Sequence, residues 1–224
     1  MKKALLSIFL ILFSSNLVLA QINDFQGWGQ ITNTSKIGQW LLFLEAQGRL
    51  GDDISNLERT LVRPAIGYQL NPNLQLYLGY AWTPTYVDSF YEDDFRNEHR
   101  VWQQAVIQHE FLDFDILHRI RQEQRFISEA SSVANRTRYL LKASYSLEDD
   151  RGISMYHELF VNLHGVRRGP KGGIDRYRFF IGPYFKSEGA TYEIGYLGEL
   201  GKEFRDDERM IHSCLLYTSD AADE

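Results

Sequence analysis

The chain has a single cysteine, Cys214, in 224 residues. That excludes a disulfide scaffold and a zinc site built on cysteine pairs. There is no surplus of basic residues: 24 Lys and Arg stand against 30 Asp and Glu, a net charge of −6. A nucleic-acid binder needs a basic footprint, so that class of partner is set aside. No stretch after the first twenty residues approaches the roughly 20 apolar residues of a membrane-spanning helix. Neither a Gly-x-Ser-x-Gly elbow nor a His-Glu-x-x-His zinc motif is present. The charged fraction, 24%, is ordinary and argues against a disordered or collagen-like chain. What is plentiful is aromatic: 13 Tyr, 14 Phe and 4 Trp, in a chain whose mean hydropathy is −0.34.

The two ends read differently from the middle. Lys2 and Lys3 precede an apolar run, Ala4 to Phe13, broken only by Ser7, and Val18-Leu19-Ala20 supplies a cleavage pattern before Gln21. Residues 1–20 are expected to be a secretory signal peptide. At the other end, Cys214 to Glu224 resembles the in-frame translation of a sequencing adapter. Residues 214–224 are expected to be a non-native tail, so that the native sequence stops at about Ser213, inside its last strand. Residues 21–213 are expected to form one domain.

Within that domain the dominant period is two. Leu74, Leu76, Leu78, Tyr80 and Trp82 share one face, while Gln75, Tyr77, Gly79 and Ala81 share the other. Val62, Pro64, Ile66, Tyr68 and Leu70 alternate with Leu61, Arg63, Ala65, Gly67 and Gln69, and Asn71-Pro72-Asn73 links the two segments as a tight hairpin turn. About eleven strands are expected, near 25–34, 38–50, 58–70, 73–82, 98–112, 114–128, 136–147, 153–163, 175–186, 190–200 and 207 onward. An amphipathic helix over 96–129 is the weaker reading, because Val101, Ala105, Ile107 and Phe111 fall at spacing two.

A leader followed by many alternating strands fits two architectures, a soluble lipocalin-like binding barrel or an outer-membrane barrel. Strand length favours the membrane, since several strands run past ten residues where globular strands have a mode of about 5–6. Aromatics near strand ends supply candidate interfacial girdles: Trp28, Trp40, Tyr68, Tyr80, Trp82, Phe111, Phe126, Tyr145, Tyr177, Phe185 and Tyr192. Connections alternate between tight (71–73, 112–114, 148–152, 187–189) and longer (83–97, 129–135, 164–174, 201–206), as periplasmic turns and external loops do. The expected fold is an all-β, antiparallel up-and-down transmembrane barrel of about 10–12 strands with its last strand truncated. Segment 25–34 has the wrong parity for an even count, which leaves ten strands without it or twelve with one more.

Residues 21–213 also resemble a family of outer-membrane β-barrels known as a domain of unknown function, numbered 2490. The likeness is carried by Phe25-Gln26-Gly27-Trp28, Glu45-Ala46-Gln47-Gly48-Arg49, Glu98-His99-Arg100, Arg119-Ile120-Arg121-Gln122-Glu123-Gln124-Arg125-Phe126, Tyr156-His157-Glu158-Leu159-Phe160, Arg176-Tyr177-Arg178 and Asp207-Glu208-Arg209-Met210-Ile211-His212. The resemblance implies an envelope location and a barrel, and no activity.

On the polar parity, charge of both signs collects. Arg63, Arg100, Arg119, Arg121, Arg125, Arg136, Arg138, Lys142, Arg176 and Arg178 are expected to point into the lumen with Glu45, Glu98, Glu110, Glu123, Glu158 and Glu193. They would form a structural ion-pair network or line a solute path, and the excess of arginine favours small anionic solutes. An outer-membrane enzyme acting on lipid or peptide is the alternative of a different class. His157 and Glu158 lie on opposite strand faces and cannot pair. The acidic run Glu92-Asp93-Asp94 lacks a calcium-loop pattern. No catalytic or metal-ligating residue is assigned and no cofactor is expected. The expected partners are outer-membrane lipid, the barrel-assembly machinery and a small anionic solute.

Overall fold

The computed structural model describes residues 23–89, 92–202 and 208–220. They form thirteen strands: β1 (Asn23–Ile37), β2 (Trp40–Gly51), β3 (Asn56–Asn71), β4 (Leu74–Trp82), β5 (Thr85–Ser89), β6 (Glu92–Arg96), β7 (Glu98–Phe111), β8 (Phe114–Ile127), β9 (Ala134–Glu148), β10 (Arg151–Asn162), β11 (Gly173–Ser187), β12 (Ala190–Lys202) and β13 (Glu208–Asp220). The helical alternative over 96–129 is not realised; the segment is the β7–β8 hairpin, paired from Glu98↔Ile127 to Phe111↔Phe114. The residues before Asn23, where the leader is expected, lie outside the described residues.

Eleven strands form the wall. Each pairs antiparallel with its neighbour in the chain, and the ring closes where β1 meets β13. That last pairing is parallel, from Asn23↔Met210 to Thr32↔Ser219. An odd number of alternating strands leaves the first and last pointing the same way, so closure requires a parallel seam. Segment 25–34 is therefore a wall strand, and the count is neither ten nor twelve. Closure matters because an open edge exposes a row of unpaired backbone groups. The residues after Ser213 take part in it. Leu215 is buried in the interior and Leu216 is half exposed outside, the alternation that a wall strand needs.

The connections sort by length onto the two ends. Two-residue turns at 38–39, 72–73, 112–113, 149–150 and 188–189 share one end. In the β3–β4 turn the Asn73 amide donates to the Asn71 side chain at 2.9 Å. In the β11–β12 turn Glu188 and Gly189 both have positive φ, 50° and 77°, the backbone that a twisted two-residue hairpin favours. The long end carries 52–55, 128–133 and 163–172, and most of the connection expected at 201–206 lies outside the described residues. Segment 83–97, expected as a loop, contains the β5–β6 hairpin, which extends from β3 through the Arg59↔Thr85 pair. Its acidic residues concealed the two short strands.

The two faces of the wall are inverted relative to a soluble core. Leu44, Ile66, Leu78, Ile120, Ile181 and Ile194 point outward and are 42–60% exposed, while arginines and glutamates point inward and are buried. The expected girdle residues face outward with one exception: Trp28 shares the inward parity of Gln26 and is buried. Four Tyr–His pairs decorate the outside: Tyr80 with His99, Tyr139 with His118 at 2.8 Å, Tyr177 with His157, and Tyr196 with His212 at 2.5 Å. Gln103 and Gln124 exchange amide hydrogen bonds on the same face at 3.1 and 3.2 Å.

A chain ending at Ser213 loses the pairs from Gly27↔Cys214 to Thr32↔Ser219 and has two partly open edges. It is expected to refold in detergent without the compact, heat-modifiable gel band expected of the full chain. An identical band from both would contradict closure through β13.

Candidate functional site: the charged lumen

Three inward aromatic rings organise the lumen. Trp102 on β7 is fully buried and packs directly over Gly79 of β4, where an added Cβ would lie 2.3 Å from the indole. Only glycine leaves that space. The guanidinium of Arg121 stacks on this indole at 4.6 Å. Phe160 on β10 is surrounded by Arg138, Arg178, Arg136 and Arg176 at 4.4–5.8 Å. Trp28 on β1 carries Arg49 at 3.8 Å and Arg178 at 4.9 Å, and its indole N–H donates to Gln26 at 2.8 Å. Guanidinium stacking fixes the long side chains flat against the rings.

Carboxylates then tie the arginines across strands. Glu45 on β2 accepts both of its bonds from Arg63 on β3, at 2.9 and 2.7 Å. Glu98 holds Arg100 at 2.7 Å and Arg125 at 2.5 Å. Glu123 holds Arg136 at 2.6 Å and Arg138 at 2.9 Å. Glu158 holds Arg119 and Arg138, each at 2.6 Å. Glu199 takes Arg176 at 2.6 Å and also Arg178. Asp175 accepts from Arg136 and Asn162, each at 3.2 Å. Glu193 takes Lys142 and accepts from Ser154 at 3.1 Å. Most of these carboxylates serve two cations, so guanidinium donors remain in excess. Arg63 Nε, Arg119 Nε, Arg121 Nη1 and Arg176 Nε are buried without a hydrogen-bond partner among the described residues.

Toward the short turns the lumen beside β2, β4 and β7 is packed. Leu41, Tyr77, Ala81, Trp102 and Val106 pack together with Phe43, Ala65 and Leu117. Across from them Tyr184 and Ser154 are buried, and the Tyr184 hydroxyl bonds the Ser146 hydroxyl at 2.7 Å. The rest of the lumen, toward the long loops, is a cavity of about 1850 Å³. Its walls carry eleven arginines and two lysines against five glutamates and two aspartates. Of the floor cluster only Leu117 reaches it; Leu41, Tyr77, Trp102, Val106 and Tyr184 do not line it. Loops 128–133 and 163–172 fold together over one side of the mouth, through Ile127, Ala134 and Val166 and a Ser131-to-Arg167 backbone bond at 3.0 Å.

All the inward residues expected from strand parity fall within this lumen except Glu110. It shares the parity but lies at the short-turn rim, exposed, opposite Asp115, because β7 continues past the packed floor. Arg49, Arg59, Glu199 and Asp175 were not among the expected residues. The first three share parity with Glu45, Arg63 and Glu193, and alternation alone points to them. Asp175 enters through a register shift between Phe160 and Val161, which alternation does not reveal. His99, His118, His157 and His212 bond tyrosines on the outer face, His109 stacks on His118 with centroids 5.3 Å apart, and His164 lies in a loop. None lines the cavity. The side chains of Glu92-Asp93-Asp94 lie outside the described residues.

Residues 25–210 match the family described as "Protein of unknown function (DUF2490)". An uncharacterized protein of Methylorubrum extorquens is 36% identical over 186 residues, 81% of this chain and 80% of that one. Among solved structures, the outer-membrane expressed OmpT of Vibrio cholerae aligns with a TM-score of 0.44 and 11% identity, over 78% of this chain and 61% of that one.

Glu123 is fully buried between two guanidinium groups. Replacing it by alanine leaves buried positive charge uncompensated and should lower stability to urea by about 3–5 kcal/mol. Glu110→Ala at the exposed rim should change it by less than about 0.5 kcal/mol. Equal effects in equilibrium unfolding would contradict the assignment of the ion-pair lattice.

Proposed function

The chain belongs to the DUF2490 family, and we propose that it is an outer-membrane β-barrel whose lumen is a blind, cation-rich cavity that takes up a small anionic solute from the long-loop side. The observation that carries this reading is the pairing of an arginine-rich cavity with a packed floor. A cleft lined by one sign of charge between low-dielectric walls concentrates counter-ions. Here that sign is positive, although the whole chain is negative.

Membrane residence is supported by the inverted faces. Soluble monomers rarely leave apolar patches larger than a few hundred Å² open, whereas a lipid-facing barrel needs an apolar outer band and a polar interior. The lipocalin-like alternative requires the opposite arrangement of faces. In this reading the leader ending near Ala20 sends the chain to the envelope, the assembly machinery inserts it, the short turns face the periplasm and the long loops face outward. The enzyme alternative draws no support from the cavity, since a catalytic histidine needs a partner and a substrate path and every histidine is elsewhere.

Reconstitution of the full chain into planar bilayers tests the blind cavity. The packed floor predicts insertion without a steady conductance. A steady, anion-selective current through the folded protein would replace the blind cavity with an open pore.

A further inference from the structure

Three inward arginines have no carboxylate partner among the described residues: Arg49, Arg59 and Arg121. Arg121 donates to Gln104 at 2.8 Å and lies beneath the cavity without lining it. Arg49 and Arg59 do line the cavity, and they are direct cross-strand partners on β2 and β3. Opposite residues on one face of a sheet stand about 4.5–5.5 Å apart at Cβ, and like charges there are destabilising. The fold nonetheless holds both in place. Arg49 Nε and Nη2 donate to Gln47 Oε1 at 3.1 and 2.9 Å, and Gln47 donates in turn to Gln30 at 3.1 Å. The Arg49 plane stacks on Trp28. Arg59 Nε donates to Thr85 at 3.1 Å. The neighbouring Glu58 forms no ion pair with either, and Glu98 and Glu199 are each engaged by two other arginines.

These bonds use Arg49 Nε and Nη2 and Arg59 Nε, and leave Arg49 Nη1 and both Arg59 Nη groups for the cavity. We infer that the facing Arg49–Arg59 pair is the seat for the anionic group of the solute, and that this group is a dianion of the phosphate-monoester kind. The inference rests on the proposed solute cavity and specifies where its charge is read. Two fixed guanidinium forks match the tetrahedral oxygens and double charge of a phosphate group better than one carboxylate. Binding would offset the like-charge repulsion within the pair.

The test is titration of the full chain, folded in detergent, with inorganic phosphate and separately with acetate at constant ionic strength, followed by calorimetry and tryptophan fluorescence. Phosphate is expected to bind at least about tenfold tighter than acetate. Arg49→Gln and Arg59→Gln should each weaken phosphate by about tenfold or more, while Arg151→Gln at an exposed turn should leave it unchanged. Retained heat-modifiable mobility checks folding, and Arg49→Lys, which keeps the charge and loses the fork, replaces any glutamine variant that fails it. Equal phosphate affinity in wild type and both variants would overturn the seat while leaving the cavity reading in place. Equal affinity for acetate and phosphate would overturn the dianion. No anion binding to the wild-type protein would overturn both seat and cavity.

Discussion

A charge turned into the lumen of a narrow barrel has left bulk water and has to be compensated by what faces it across the interior. That requirement organises this molecule. The inward arginines lie flat on Trp28, Trp102 and Phe160, and the carboxylates on neighbouring strands are shared between them, as Glu123 is shared by Arg136 and Arg138. Ion pairs taken out of water gain little net stability, because desolvation offsets their attraction. Their strength is directional: bidentate bonds specify which strand stands beside which. The lattice is thus better understood as fixing the shape of the lumen than as the main source of stability. It also explains the cavity, because arginines outnumber carboxylates and cannot all be neutralised.

Closure imposes a second requirement. With eleven wall strands the seam between β1 and β13 has to be parallel, and parallel pairing is slightly weaker per residue than antiparallel. Residues 214–219 lie in that seam. Their alternation, Leu215 and Tyr217 inward and Leu216 outward, satisfies the wall as its neighbours do.

Much of this was legible in the sequence. Alternation located every wall strand to within a few residues, and it assigned faces correctly wherever polar and apolar residues strictly took turns, as in Leu74–Trp82. It also brought Arg63, Arg100, Arg121, Glu123 and Arg138 to one interior. It failed where geometry departs from strict alternation. Glu110 has the right parity but lies beyond the floor, Asp175 reaches the lumen through a register shift, and Trp28 faces inward although an aromatic near a strand end suits either face. Parity in β1 is weak, since Gly27 and Gly29 carry no side chain to mark the outside. The Arg49–Arg59 juxtaposition depends on the register of β2 against β3, which one sequence does not specify.

In the proposed arrangement the apolar face of the wall meets lipid and the charged face encloses the cavity. The direct measurement is nitroxide accessibility along β4 in protein reconstituted into lipid vesicles, with labels introduced singly at 76, 77, 78 and 81 in a Cys214→Ser background. The account predicts that labels at Leu76 and Leu78 are relaxed by oxygen dissolved in the bilayer and that labels at Tyr77 and Ala81 are shielded from it. The opposite parity, or equal access of a water-soluble nickel chelate to Leu76 and Leu78, would contradict it.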